Sequence, residues 1–230
     1  MLVAAEKREL AGVLRRCRRR ERLRWPLEWA WRGELRGRPV VLAANGPGGL
    51  WAAEAMRVTC GREEVDAVVS TGWCGGLDPE LAPGEIFVAS GVKGEGVSFA
   101  AAVPRTGCAF RSGWLVTVDR VAQTAEEKAR LRESGAAAVD MEAAAVAAES
   151  ERRGLRFFCV RVVLDGAGES FRLDFNAARR DNGRFSRRRI LRAALARPWV
   201  GLPELVRWGR RTREAARVLG DFLAECEFAS

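Results

Sequence analysis

Glu142 stands in an unusual place, inside the alanine-rich stretch AAAVDMEAAAVAAES that runs from residue 136 to 150. Alanine has the highest helix propensity, and small side chains at helical spacing let a helix pack closely on a sheet. A carboxylate on such a helix either faces solvent or serves a purpose. The chain contains no histidine, which excludes Ser-His-Asp and Cys-His pairs. Proton transfer therefore falls to carboxylates, cysteines or the three lysines, Lys7, Lys93 and Lys128. Carboxylates in apolar pockets are the first groups to consider. The six cysteines, Cys17, Cys60, Cys74, Cys108, Cys159 and Cys226, form no C-x-x-C pair. Without histidine the usual zinc spacings cannot be built, so no metal site is expected and the cysteines read as reduced, mostly buried thiols.

The elements that must position such groups follow from the hydrophobic pattern. Residues 2–5 can form a short strand, and the polar segment 6–24 reads as a helix with Leu10, Val13 and Leu14 on one side. Residues 27–45 look like two strands around a turn at Arg36-Gly37-Arg38, leading into NGPGG (45–49) and a helix over 50–60 stopped by Gly61. A buried strand over 66–70 opens into the glycine-rich TGWCGGLDPELAPGE, followed by a strand over 86–90 and an irregular stretch to about 113. A strand over 114–118 comes next, then Thr124 and Glu127 as a capping box for a helix ending near Gly135. The alanine helix spans about 141–154, and RFFCVRVVL (156–164) is a strand ending at Asp165. Ser186 can cap a basic helix that stops before Pro198, and Pro203 can open a last helix to about 225. Strands alternating with helices predict an α/β fold with a mostly parallel or mixed sheet covered on both faces, in one domain over 1–230. Ligands of such sheets sit beyond the carboxyl ends of strands, where loop 45–49, loop 71–76 and Asp165 all fall.

Composition bounds the setting. Charge begins at residue 6, too early for the core of a signal peptide, and no run approaches the ~18 apolar residues of a membrane span, so a cytoplasmic protein is expected. The net charge of +9 is almost all arginine, clustered at 15–24, 187–189 and 207–213. Such clusters are either solvated faces or a surface for a polyanion or an anionic membrane.

Four motifs in order, AAEKRE with Glu9, NGPGG, STGWCGGLDPELAPGEIFVAS (70–90), and VDMEAAAVA followed by VRVVLDGAGES (160–170), resemble the purine nucleoside phosphorylases and the methylthioadenosine/S-adenosylhomocysteine nucleosidases. The resemblance covers about residues 1–170. It implies a three-layer fold with a central mixed sheet, and cleavage of the N-ribosidic bond of a purine nucleoside, adenine foremost, carrying a 5′-substituent. It further implies Asp165 as the acid that protonates the leaving base, Glu142 at the ribose with Met141 against its face, and Glu9 as general base for water. Gly46, Gly48, Thr71, Gly72, Trp73 and Gly75 are the implied substrate contacts. No cofactor is implied, inorganic phosphate being a co-substrate in the phosphorylases. The logic parallels glycoside hydrolysis with one acid for the leaving group and one base for water.

Two departures bear on the nucleophile. Bacterial phosphorylases of the family carry an arginine at the position of Ser70 and a serine at that of Trp73, so hydrolysis is favoured and phosphorolysis is the alternative. Glu9 as base is weighed against an exposed acid on the first helix. Trp73 either narrows the pocket or fills the core. The tail, 174–225, looks like the C-terminal region of hopanoid-biosynthesis-associated phosphorylase-like proteins, which act on a nucleoside attached to a lipid such as adenosylhopane. With an amphiphilic substrate, Trp25, Trp29, Trp31, Trp199 and Trp208 would meet a membrane interface; otherwise they are core residues. The expected partners are thus a small nucleoside, a second copy of the chain and peripherally a membrane, with no specific nucleic acid. A non-catalytic polyanion-binding protein on this fold is the competing reading, against which the paired Met-Glu and strand-end Asp argue.

Overall fold

The computed structural model describes residues 1–180 and 183–228. Asp181, Asn182, Ala229 and Ser230, included in the expected domain, lie outside the described residues. The chain opens with β1 (Leu2–Ala4), α1 (Ala11–Arg16) and β2 (Arg18–Arg22), then β3 (Trp29–Leu35) and β4 (Arg38–Ala44). Next come α2 (Gly49–Cys60), β5 (Ala67–Gly76), β6 (Ile86–Gly94), β7 (Val97–Ala100) and β8 (Arg111–Thr117). They are followed by α3 (Ala125–Arg132), β9 (Ala138–Asp140), α4 (Ala143–Arg152), β10 (Arg156–Asp165), α5 (Arg187–Ala196) and α6 (Pro198–Ala224).

The sheet is mixed, as expected. β1 runs parallel to β4 and β5, and β5 parallel to β10, so the carboxyl ends of these apolar strands point one way. Antiparallel pairing of β10 with β6 and of β5 with β9, with β6, β8 and β9 parallel between them, closes five strands into a ring. β1, β4, β3 and β2 extend from it as an open wing. One face buries Leu10, just before α1, and Val13 of α1 with Leu219, Phe222 and Leu223 of α6. The other buries Ala52, Ala55 and Met56 of α2 with Ala143, Val146 and Ala147 of α4, which gives the three layers.

Several boundaries differ from the sequence reading, each for a pairing reason. The helix expected over 6–24 is confined to α1, because Cys17 turns extended and the basic run 18–22 adds to β3 as an edge strand. Its side chains are exposed, and Arg19–Glu34 (2.9 Å) and Arg32–Glu21 (3.1 Å) pair across the strands. A charged edge strand also blunts edge-to-edge association. The loop expected at 71–76 is strand, held between β10 and β9. The irregular stretch 91–113 contains the β6–β7 hairpin. The alanine helix starts after Glu142, with Asp140 in β9, and the last helix opens at Pro198 with Pro203 inside it. The turn between β3 and β4 is as expected: Arg36 (φ 52°) and Gly37 (φ 76°) make a two-residue hairpin loop whose twist matches the strands.

α1 crosses α6 at Gly12 and Gly220. A Cβ on Gly220 would lie 2.4 Å from the Gly12 carbonyl carbon, and one on Gly12 would lie 1.9 Å from the Ala216 carbonyl oxygen. Backbone cannot yield as a side-chain end can, so Gly220→Ala should cost at least about 1–3 kcal/mol as an overpacked contact. A denaturant midpoint matching the wild type would show that the helices do not cross this closely.

Candidate active site

Glu9 follows β1 in the turn before α1 and is 5% exposed. Its Oε2 accepts from the Glu6 amide (2.8 Å) and its Oε1 from the Trp73 amide (3.1 Å). The carboxylate fits because residue 72 is glycine: at φ +137°, a Cβ there would stand 2.6 Å from Oε1. Burial, then the charge of Glu142, pushes its pKa up to about 8. The alternative of an exposed first-helix acid is thereby set aside.

Glu142 is partly buried at the start of α4, and its side chain does not cap the helix. Other groups satisfy the first amides: Asp140 Oδ2 accepts from Ala143 (2.9 Å) and Thr117 Oγ1 from Ala144 (3.0 Å). The Glu142 side chain is thus free for another partner, and its Oε1 accepts from the Gly48 amide of the NGPGG loop at 2.7 Å. Its surroundings, and next Asp140, raise its pKa to about 7. The charge of Glu142 thus reaches Glu9, and both carboxyls are raised toward neutrality.

Asp165 ends β10, 5% exposed, and its Oδ2 is paired with the Nζ of Lys128, which is fully buried. Burial raises the Asp165 pKa and Lys128 opposes the rise. Gly75 lies alongside, where a Cβ would be 3.4 Å from Oδ2. Met141 and loop residues Pro47 and Gly48 line an open cleft of about 1560 Å³ whose far wall carries Arg179 and Arg184. Gly46 (φ 114°) and Gly48 (φ 100°) bend the loop, Arg184 donates to the Asn45 carbonyl (2.9 Å), and its guanidinium stacks on Trp51. Glu9, Gly46, Thr71, Gly72, Trp73, Gly75, Glu142 and Asp165 do not line this cleft; Glu142 is tied to it through its hydrogen bond to the Gly48 amide. The Trp73 side chain packs against the core on the α1–α6 face, so it fills the core while its backbone amide holds Glu9. The Thr71 hydroxyl and the Trp73 indole N–H are buried without a hydrogen-bond partner among the described residues.

Sequence reasoning named Lys128 only as one of three lysines able to move a proton, and it missed Arg161 and Asp140. Arg161 is fully buried and donates to Asp140 Oδ2 (2.5 Å), to Ser70 Oγ (2.8 Å) and to the Val160 carbonyl (3.2 Å). Asp140 Oδ1 accepts from Thr117 Oγ1 at 2.7 Å. A signal existed, since a charge inside the apolar run RFFCVRVVL must find a buried partner.

The sequence profile described as "Phosphorylase superfamily" matches residues 29–109 and 97–196. The chain belongs to the phosphorylase superfamily. Among curated members, it is 28% identical over 168 residues to 5′-methylthioadenosine/S-adenosylhomocysteine nucleosidase of Tolumonas auensis, covering 60% of this chain and 73% of that protein. The corresponding protein of Colwellia psychrerythraea is 31% identical over 172 residues, covering 60% and 71%. A crystal structure of the 5′-methylthioadenosine/S-adenosylhomocysteine nucleosidase of Neisseria meningitidis, in complex with methylthio-immucillin-A, superposes over 97% of this chain and 96% of its own with TM-score 0.74 at 21% identity. The superfamily fold expected from the motifs is the fold observed.

Within this superfamily member, removing one partner of the Arg161–Asp140 pair strands the other charge. Arg161→Met should lose about 3–5 kcal/mol in urea unfolding, and the double variant R161M/D140N less than the two single losses added. Strict additivity would show that the two residues are not coupled.

Proposed function

We propose that the protein hydrolyses the N-ribosidic bond of an adenine nucleoside bearing a 5′-substituent. The observation that carries this is the set of three carboxyls in two different electrostatic settings: Glu9 and Glu142 raised together near neutrality, and Asp165 apart from them on Lys128. Glu142 takes the ribose hydroxyls and stabilises positive charge growing on the sugar. Glu9, as carboxylate, accepts a proton from water while the water oxygen bonds to the anomeric carbon. The carbon–nitrogen bond breaks toward the purine, and Asp165 gives its proton to a ring nitrogen, so neutral adenine leaves.

Hydrolysis is favoured over phosphorolysis because the arginine nearest Ser70 is Arg161, already engaged by Asp140, Ser70 and a carbonyl. Met141 at the cleft wall is assigned to the ribose face and Gly48 lines the same cleft; Gly72 and Gly75 leave room for the Glu9 and Asp165 carboxyls, and Gly46 and Thr71 keep their assignment as substrate contacts. The unpaired cysteines fit the cytoplasmic setting assigned with it, and a single domain requiring no cofactor is part of the same reading.

Self-association and a peripheral membrane contact complete the proposal. Trp208 is buried, and Trp25, Trp29 and Trp31 are partly buried, but Trp199 is 92% exposed, near Leu191, Leu195, Leu202 and Val206 on α5 and α6. Such a row, with arginines beside it, suits an anionic bilayer and a lipid-linked 5′-substituent like that of the hopanoid branch. Among the described residues no helix is long and apolar enough to cross a membrane. Sedimentation with anionic vesicles should carry the wild type down and leave Trp199→Ser in solution; equal behaviour would remove the contact.

Purified protein incubated with methylthioadenosine, adenosine and a long-chain 5′-alkyl adenosine should release adenine without phosphate. No free base from any of them would end the proposal, and strict phosphate dependence would make the enzyme a phosphorylase. Glu142→Gln should lower kcat by about 10²–10³-fold. Because a base must be deprotonated to act, kcat/KM should rise with pH through the values of the pair, about 7 and about 8. Removing the Glu142 charge should move this limb to lower pH, since that charge helps raise Glu9. An acid limb near pH 4–5 in the wild type would exclude the raised pair from catalysis.

A further inference from the structure

Lys128 sits just past the capping box that fixes the start of α3: the Glu127 amide donates to Thr124 Oγ1 (3.1 Å), and the Thr124 amide to Glu127 Oε2 (3.3 Å). That box sets where Lys128 leaves the helix. Its ammonium spends all three donors inside the protein, on Asp165 Oδ2, on the Gly166 carbonyl (2.8 Å) and on the Glu169 carbonyl (2.9 Å). The Phe171 ring lies 5.5 Å from the nitrogen, itself packed on Phe175 and Trp208. A lysine so saturated cannot also reach a substrate. What it can do is fix which oxygen of Asp165 remains for the leaving base, because Oδ2 is occupied and, among the described residues, nothing donates to Oδ1.

We infer that Lys128 is the positioning residue of the leaving-group acid, locking the Asp165 carboxyl with Oδ1 available and setting the highest pH at which it holds its proton. The inference rests on the assignment of Asp165 as that acid. Other charged or titratable groups facing Asp165 are Glu169 and Arg211, which pair with each other at 2.7 Å, and the buried thiol of Cys74. The Glu169–Arg211 pair largely cancels itself, so Lys128 supplies the one uncompensated positive charge in contact with Asp165. Burial alone would favour the protonated acid, and an ammonium in contact holds a carboxyl down by about one to three pKa units. An ion pair also keeps the carboxyl from rotating away when the pocket is empty. The carbonyls of Gly166 and Glu169, bound to the same nitrogen, tie the strand end to the segment that follows it.

The test compares Lys128→Met and Lys128→Arg with the wild type, using adenine release from methylthioadenosine across pH 5–10 and ¹³C NMR of the labelled Asp165 carboxyl without ligand. Release by the wild type is scored first and concerns the reaction alone. If Lys128 positions the acid, K128M lowers kcat at neutral pH by about 10-fold or more and moves the alkaline limb up by about one to three pH units. K128R keeps the charge and keeps the limb in place, whatever it does to the rate. A uniform loss in K128M, with the limb unmoved, would assign Lys128 to the fold alone and overturn the inference. Should K128M not fold, K128Q takes its place, since glutamine can still donate to the two carbonyls without carrying charge. Should the wild type release no adenine, the carboxyl titration decides: an Asp165 midpoint unchanged between wild type and the uncharged variant would overturn the inference independently of the reaction.

Discussion

Asp140 is the residue on which the arrangement of the site depends. Its carboxylate accepts from the Arg161 guanidinium, the Thr117 hydroxyl and the Ala143 amide, so it joins β10, β8 and the start of α4 at one buried point. A buried charge of this kind persists only when its partner and its remaining hydrogen-bonding positions are all supplied. Here the geometry supplies them from three different elements, and all must be in register for the pair to form. In return, the first amides of α4 are satisfied by Asp140 and Thr117, which is why the neighbouring Glu142 need not cap the helix on which it stands. An ordinary N-cap residue spends its side chain on its own helix. Glu142 spends its side chain on the NGPGG loop.

The second consequence concerns charge. Arg161 brings a positive charge to within electrostatic reach of Glu9 and Glu142, but Asp140 has already neutralised it. A free arginine would hold both glutamates ionised far below neutrality. Paired with Asp140, it only tempers the effect of burial, and the two glutamates remain near the pH at which a carboxyl can both take and give a proton. Without histidine, this is how the chain obtains groups that titrate near neutrality. Backbone shape contributes at one position in particular: Gly72, at positive φ and with no side chain, lets Glu9 come up against β5 and accept from the Trp73 amide.

Much of this was legible in the sequence where a local rule governs it. The capping box at Thr124 and Glu127, the hairpin turn at Arg36-Gly37 and the strand ending at Asp165 are all short-range patterns, and all three are present. The glycine-rich TGWCGG read as a loop because glycine weakens an isolated strand. It is strand because β10 pairs with it from Thr71 to Gly75 and β9 with Gly75 and Gly76, a tertiary effect that no local preference encodes. The run Arg18–Arg22 likewise has no apolar face of its own and takes its conformation from β3. The link between Lys128 and Asp165 spans 37 residues and two elements, so the sequence offered each residue but not their meeting.

In the proposed mechanism, the pairing of Lys128 with Asp165 also separates the acid from the base, although both are carboxyls. Two carboxyls in identical surroundings would titrate together and could not divide the work. Glu9 is buried beside another carboxyl and is therefore reluctant to lose its proton, whereas for Asp165 burial raises the pKa and the Lys128 ammonium opposes the rise. Bringing a purine to the unoccupied oxygen of Asp165 changes the second environment more than the first, because a ring nitrogen gaining basicity as its bond to the sugar lengthens can share the proton that Lys128 otherwise disfavours. In the proposed mechanism, transfer of the Asp165 proton thus becomes favourable as the leaving nitrogen becomes basic, while Glu9, raised by its carboxyl neighbour, acts once it is deprotonated. Separate partners keep the two carboxyls from titrating as one group, and what each faces in the bound complex sets the role proposed for it.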